Sequence, residues 1–354
     1  MDNTVAIADR ATAASLKFVA LANVLFLLAF AAMLLFATSK ASAEVPACTG
    51  KNLVAALEQD DPALVAKLRA EAAETQNGRG LLWKVDRDGR PASWLFGTMH
   101  MTDPRVIELT PAAQAAFEAS ATVVIETTDI LDQKKMLASL MEQPELMMFT
   151  DATTLTSLMA PEDVAVVEEG LRARGISPAS VAKMKPWMLS AVVALPACEL
   201  ARKNAGLPVL DAKLARDAET AGKRLLGLET AKSQLEAMAS LPMEFHLKGL
   251  AETLRLGARI DDLIETMIVL YTRGDLSMLW PLFRAVLPAV DDEIGYAAFE
   301  ETMIIARNET MAESARQVLA EGGAFIAVGA LHLPGPHGLV ELVREAGYTV
   351  TVVR

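Results

Sequence analysis

Ser93-Trp-Leu-Phe-Gly-Thr-Met-His-Met-Thr-Asp-Pro104 closes a short apolar run with glycine and places a histidine three residues later. Near the other end, Ala324-Phe-Ile-Ala-Val-Gly-Ala-Leu-His-Leu-Pro-Gly-Pro336 repeats that layout. The chain holds 4 histidines in 354 residues, so the recurrence places half of them in one local design. Apolar runs of this length, bounded by turn residues, read as buried strands. Glycine at their ends lets backbone or ligand come close and permits the turn that aims each histidine inward.

Leu81-Leu-Trp-Lys-Val85 and Ser93-Trp-Leu-Phe-Gly97 flank a polar turn at residues 86–91, which predicts a hairpin. Residues 104–120 have a helical pattern and Ala121-Thr-Val-Val-Ile-Glu126 a strand pattern, the rhythm of an α/β sheet. Residues 129–205 read as helices, paused at Pro144, Pro161, Pro178 and Pro186. Asp211 is placed to cap a helix running to Ala221, and residues 223–229 return to a strand. Residues 231–306 are again mainly helical, and the chain closes as strand 325–329, helix 337–346 and strand 348–353. The expected fold is therefore α/β (α+β), a central mixed sheet over residues 81–354 with a large helical insertion. A helical segment at 44–80 precedes it.

Arg10 and Lys17 precede a largely apolar run from Phe18 to Phe36, followed by Ala41-Ser42-Ala43 with the small residues signal peptidase requires. Residues 1–43 thus read as a signal peptide or, if uncut, as a membrane anchor. The expected location is the periplasm, free or anchored in the inner membrane and facing it, with membrane contact through this segment alone. In such a compartment Cys48 and Cys198 either form one disulfide or remain two buried thiols. The net charge of -12 and the lack of a basic stripe argue against a nucleic-acid partner.

Four predicted strands end in side chains that carry chemistry: His100, Glu126, Glu229 and His332. Ligand sites in open α/β sheets form at the carboxyl ends of strands, so the four can meet. Two imidazoles and two carboxylates suit a divalent ion such as Zn2+, Mn2+ or Co2+, which acidifies a bound water. One glutamate would then complete the shell and the other act as general base. The plainer readings are hydrogen-bonded structural histidines, and glutamates that open helices. Asn308 reads as the N-cap of a helix from Glu309 to Ala320, with Arg307 pointing into the crevice to stabilise an oxyanion. His246 reads as structural or exposed, His337 as opening a helix, and the Met-rich residues 140–148 as core or adaptable surface.

Trp94-Leu-Phe-Gly-Thr-Met-His100, Val124-Ile-Glu126, Asp211-Ala-Lys-Leu, Gly227-Leu-Glu-Thr230, Arg307-Asn308 and the block from Ala327 to Gly338 together resemble the TraB/PrgY/GumN family. That family is similar to the Tiki-type metalloproteases, which cleave secreted proteins with a Mn2+- or Co2+-type ion, and more distantly to erythromycin esterases and haem-associated ChaN-like proteins. The resemblance implies His100, Glu126, Glu229 and His332 as the metal or catalytic core, lined by Arg307 and Asn308. It also implies two pseudo-symmetric halves, each contributing a Gly-x-x-His strand through Gly97 or Gly329. The function expected is an exported metal-dependent hydrolase, most simply a peptidase on a peptide or protein substrate. A metal-free esterase-like hydrolase and a non-catalytic envelope or polysaccharide-assembly binding protein are the alternatives.

Overall fold

The computed structural model describes residues 47–132, 141–286 and 293–354. The leader expected over residues 1–43 and its Ala41-Ser42-Ala43 site lie outside the described residues. Among the described residues no helix is long and apolar enough to cross a membrane.

One six-stranded mixed sheet organises the chain: β1 (Leu82–Asp86), β2 (Ser93–Thr98), β3 (Thr122–Ile125), β4 (Arg224–Gly227), β5 (Ala324–Gly329) and β6 (Thr349–Val353). The strands lie in the order β4-β3-β5-β2-β1-β6. β1 and β2 form the expected antiparallel hairpin, with Leu82 opposite Phe96 and Val85 opposite Ser93, and β6 adds antiparallel to β1. The inner pairings are all parallel: β2 with β5, β5 with β3, and β3 with β4. Parallel strands covered on both faces need apolar side chains throughout rather than in alternation. Residues 122–125 and 324–328 are accordingly buried without exception. Phe325 packs between Phe96 and Phe117, with ring centroids 5.4 Å and 5.6 Å away.

The parallel arrangement has a direct consequence for the site. β4, β3, β5 and β2 are consecutive in the sheet and point the same way, so Glu229, Glu126, His332 and His100 emerge in that order along one edge. The two Gly-x-x-His strands are neighbours, with Thr98 opposite Gly329.

Helices cover the sheet and build the walls above this edge. The N-terminal segment is two helices rather than one, Leu53–Asp60 and Pro62–Ala73, because Asp61 caps the second and Pro62 lacks the N–H to continue the first. Helices Pro161–Ala173, Pro186–Val193 and Met243–Leu256 share a small core of their own around Val167, Leu171, Leu189 and Leu250. Cys48 and Cys198 are bonded, their Cα atoms 5.4 Å apart, which clips the segment before the first helix to the helix Ala197–Asn204. Bridges of this kind form and persist in oxidising compartments, a pointer to a location outside the cytoplasm.

Two expected helix starts lie elsewhere. Helix Leu210–Thr220 begins one residue before Asp211, whose side chain takes the hydroxyl of Thr98 instead of capping. Asn308 is inside a helix, not at its end: a π-helical turn, Glu300–Ile305, runs directly into Ala306–Glu321. Asparagine is a good cap because its amide competes for backbone groups. Here the amide finds His332 and the carbonyl of His337 instead, and the helix continues past it.

Candidate active site

The edge formed by β3, β5 and β2 is the floor of a cavity of about 760 Å³. Its walls are mostly apolar, drawn from Trp187 and Met188, Leu235 and Met238, Met267, and Met303 on the π-helical turn. π-helical turns inside helices recur at functional sites. This one carries Met303 and Ile304 into the wall, four and three residues before Arg307.

Glu126 is the hub of the floor. Its Oε1 accepts the backbone N–H of Gly329 at 2.6 Å, and its Oε2 accepts from Arg307 Nη2 at 2.8 Å and Gln234 Nε2 at 2.9 Å. Glycine eases this approach, since a Cβ at Gly329 would lie 3.1 Å from Oε1 and the carboxylate would have to give by a few tenths of an ångström. Burial works to raise the Glu126 carboxyl, but His332, His100, Arg307 and the Gly329 N–H outweigh it and hold it down at about 2.

Glu229 lies across the same guanidinium. Arg307 Nη2 reaches its Oε2 at 2.7 Å, Nε lies 3.2 Å from both oxygens, and Gln234 donates to Oε2 at 3.2 Å. Arg307 Nη1 meets the Met303 carbonyl at 3.4 Å, the weakest of the arginine's contacts. Burial opposes the charge on Arg307, while the bonds to Glu229 and Glu126 keep it firmly protonated.

His332 is buried and its tautomer follows from its neighbours. Asn308 Nδ2 donates to the His337 carbonyl at 2.8 Å, which turns Oδ1 toward His332 Nδ1 at 2.7 Å. An amide oxygen only accepts, so Nδ1 carries the proton and Nε2 presents a lone pair. Burial pushes the imidazole down to about 4, with Arg307 and His100 acting in the same sense and Glu126 against it, so His332 is neutral at pH 7. Its Nε2 faces Glu126 Oε1 at 3.9 Å. His100 also lines the cavity, its side chain 56% exposed and its Nδ1 3.3 Å from Asp211 Oδ2.

Of the four side chains named from the sequence, His100, Glu126 and His332 line the cavity, while Glu229 meets it only through Arg307 and Gln234. Asn308 does not line the cavity; it holds His332 from behind. His246 is buried, bonded to the Met238 carbonyl at 3.0 Å. Sequence reading missed Gln234, which bridges the two glutamates, and its only signal is the place one helical turn after the cap Thr230.

Do these residues fit a divalent ion? Two lone-pair donors, His332 Nε2 and Glu126 Oε1, face each other at 3.9 Å, within the span of two ligands each about 2.0–2.2 Å from one ion. The Nδ1–H of His332 is anchored on an oxygen, the arrangement that orients metal-binding histidines. Two carboxylates share one guanidinium, a floor chemistry that favours an added cation. Glu229 fits less well, because Arg307 occupies both its oxygens. Among the described residues no group of three or more His, Cys, Asp or Glu side chains is drawn together as a finished metal site.

A strand-edge cavity with imidazole, carboxylate and guanidinium on its floor defines an α/β protein with an enzyme-like site. The chain belongs to the TraB/PrgY/gumN family, which it matches over residues 81–352. It is similar to the protein "Metalloprotease TIKI1" of Danio rerio, 26% identical over 313 residues that cover 76% of this chain and 62% of that protein. The Homo sapiens "Metalloprotease TIKI1" is 27% identical over 312 residues, covering 76% and 61%. The "Metalloprotease TIKI homolog" of Nematostella vectensis is 24% identical over 339 residues, covering 80% and 69%. The chain spans about three fifths of the length of the first two relatives. No solved structure gives a significant match.

Proposed function

We propose that the protein is a metal-dependent hydrolase that cleaves peptide or protein substrates outside the cytoplasm. The observation that carries this is the bare Nε2 of His332 facing Glu126 Oε1 at 3.9 Å on the floor of an apolar cavity. The similarity to TIKI metalloproteases supports the peptidase class and the need for a metal.

In this reading His332, Glu126 and His100 hold the ion, of the Mn2+, Co2+ or Zn2+ kind, and the two Gly-x-x-His strands act as paired halves of one site. Bound there, the ion supplies an acidified water and a Lewis acid. Glu229 serves Arg307 rather than the ion: it fixes the guanidinium so that Nη2 steadies Glu126 and the loosely held Nη1 meets a substrate carbonyl. The methionine-rich wall accepts apolar side chains of several shapes next to the scissile bond and excludes water from the floor. In this reading the leader expected from the sequence would direct the enzyme to the periplasm, free or anchored.

The test is purified protein loaded in turn with Mn2+, Co2+ and Zn2+, assayed on a peptide library beside His332→Ala. Metal-dependent cleavage next to Leu, Met or Phe, abolished in the variant, is the expected result. Cleavage that survives both chelator and His332→Ala would remove this mechanism. A second reading, an apolar-ligand carrier without turnover, draws on the engagement of both glutamates by Arg307. It predicts a ligand retained through purification and no cleavage with any ion.

A further inference from the structure

We propose that Asp211 is the positioning residue of His100: its buried carboxylate takes the Nδ1–H of that imidazole and leaves Nε2 directed at the cavity. The inference rests on the reading above in one respect, that the Nε2 of His100 is used there.

Asp211 sits in the first turn of the helix Leu210–Thr220, behind the end of β2, with its side chain 5% exposed. Its two oxygens are treated unequally. Oδ1 accepts the Thr98 hydroxyl at 2.7 Å. Oδ2 is buried and, among the described residues, has no hydrogen-bond partner, although His100 Nδ1 stands 3.3 Å away. A buried carboxylate oxygen without a donor costs on the order of 1–3 kcal/mol or more, so it persists where something is meant to meet it. Tyr271 also feels the charge of Asp211, but its hydroxyl is already given to the Gly97 carbonyl at 2.9 Å. The imidazole of His100 is thus the donor placed to complete Asp211.

The arrangement behind the other Gly-x-x-His strand has the same logic. His332 gives Nδ1–H to Asn308 Oδ1, a side-chain oxygen from a helix packed behind the strand end. Asp211 stands in the equivalent relation to His100: the same ring nitrogen, the same position three residues after the strand glycine, and an oxygen from a different helix. An acceptor on Nδ1 fixes the proton there and aims the lone pair of Nε2, as carboxylates do behind metal-binding histidines. A purely local role for Asp211 is a favourable charge in the first turn of its helix. That role asks for neither the bond to Thr98 nor the approach to His100.

The experiment begins with the protein itself, free of metal, at pH 8. Long-range 1H–15N NMR of the imidazoles, with His100 assigned by comparison with His100→Gln, reads which ring nitrogen holds the proton. The expected result is an Nδ1–H tautomer at His100 that is lost in Asp211→Ala and kept in Glu199→Gln, a change at another buried carboxylate. An Nε2–H tautomer in the parent overturns the proposal without any variant. An unchanged tautomer in folded Asp211→Ala overturns it as well. Co2+ affinity, measured by chelator competition, is the second readout, and Asp211→Ala is expected to weaken it about 10–100-fold. If neither protein binds Co2+ while the tautomer follows Asp211, the metal reading falls and the positioning role stands.

Discussion

The two Gly-x-x-His strand ends share a design and differ in how firmly it is built. At the end of β5, His332 is buried, with Nδ1 gripped by Asn308 and Nε2 facing Glu126. At the end of β2, His100 is more than half exposed, and its nearest anchor, Asp211, stands at a longer 3.3 Å. In the proposed reading, one half of the site is assembled in advance, while the other would close on arrival of an ion or a substrate. Catalytic contacts that are loose before binding commonly tighten in the complex. The difference separates changes that damage the fold from changes that damage only the site.

The firm side rests on Arg307, so removing it is the most drastic way to break the contrast. Arg307→Ala leaves Glu126 and Glu229 buried against each other with only Gln234 between them. Breaking a buried ion pair by deleting one partner costs about 3–5 kcal/mol. Chemical denaturation should show that loss in Arg307→Ala, whereas His100→Ala should keep the parent's midpoint while losing cleavage. Equal midpoints for Arg307→Ala and the parent would mean that the triad does not hold the β5 side together.

Acid should dismantle the same side in the metal-free protein, and here the sign follows from the groups involved. Unfolded, His332 takes up its proton near the ordinary value of 6.5; folded, it does so only near 4. Between those values the unfolded chain binds the additional proton. The stability is therefore complete above pH 6.5 and falls as pH drops toward 4, by about 3 kcal/mol. Glu126 adds a second contribution, fully present above its ordinary 4.5 and lost as pH falls through about 2. Urea midpoints from pH 7.5 to 4 should decline in the parent, and His332→Gln should flatten that decline.

The sequence exposes the strand ends and conceals what stands behind them, for a physical reason. A buried parallel strand needs an unbroken apolar run, so β2, β3 and β5 are legible, and the residue beyond each run falls on the ligand-binding edge by topology alone. His100, Glu126 and His332 could be named in this way without knowing the strand order, whereas Glu229 follows β4, an exposed edge strand. Asn308, Gln234 and Asp211 belong to helices, whose periodicity says which face is buried but not which strand end lies beneath it. From their residue type Asn308 and Asp211 read only as caps, and it is the family resemblance that also puts Asn308 at the site, because cap chemistry is local and the contacts to His332 and His100 span 24 and 111 residues, the latter from 211 − 100. The π-helical turn at Glu300–Ile305 left no signal in residue type, since its sequence is an ordinary helical one.

The smallest effects should come from the two glycines, where the contrast between the halves reverses. A Cβ on Gly97 would stand 3.0 Å from Ala330 Cβ and Leu333 Cδ1 and 3.1 Å from Ala330 Cα. It would press on the backbone that carries His332, not on His100, and overpacking of that kind costs about 1–3 kcal/mol. A Cβ on Gly329 would meet Glu126 Oε1 at 3.1 Å and His332 Cδ2 at 3.4 Å, which are side-chain ends able to give a few tenths of an ångström. Gly97→Ala should therefore lower the unfolding midpoint. Gly329→Ala should keep it nearly unchanged while cutting cleavage about tenfold, or 1.4 kcal/mol, by shifting the one carboxylate oxygen aimed at His332. If Gly329→Ala costs stability and spares cleavage, the bond from Gly329 N–H to Glu126 serves the fold, and the β5 side is firm for structural reasons alone.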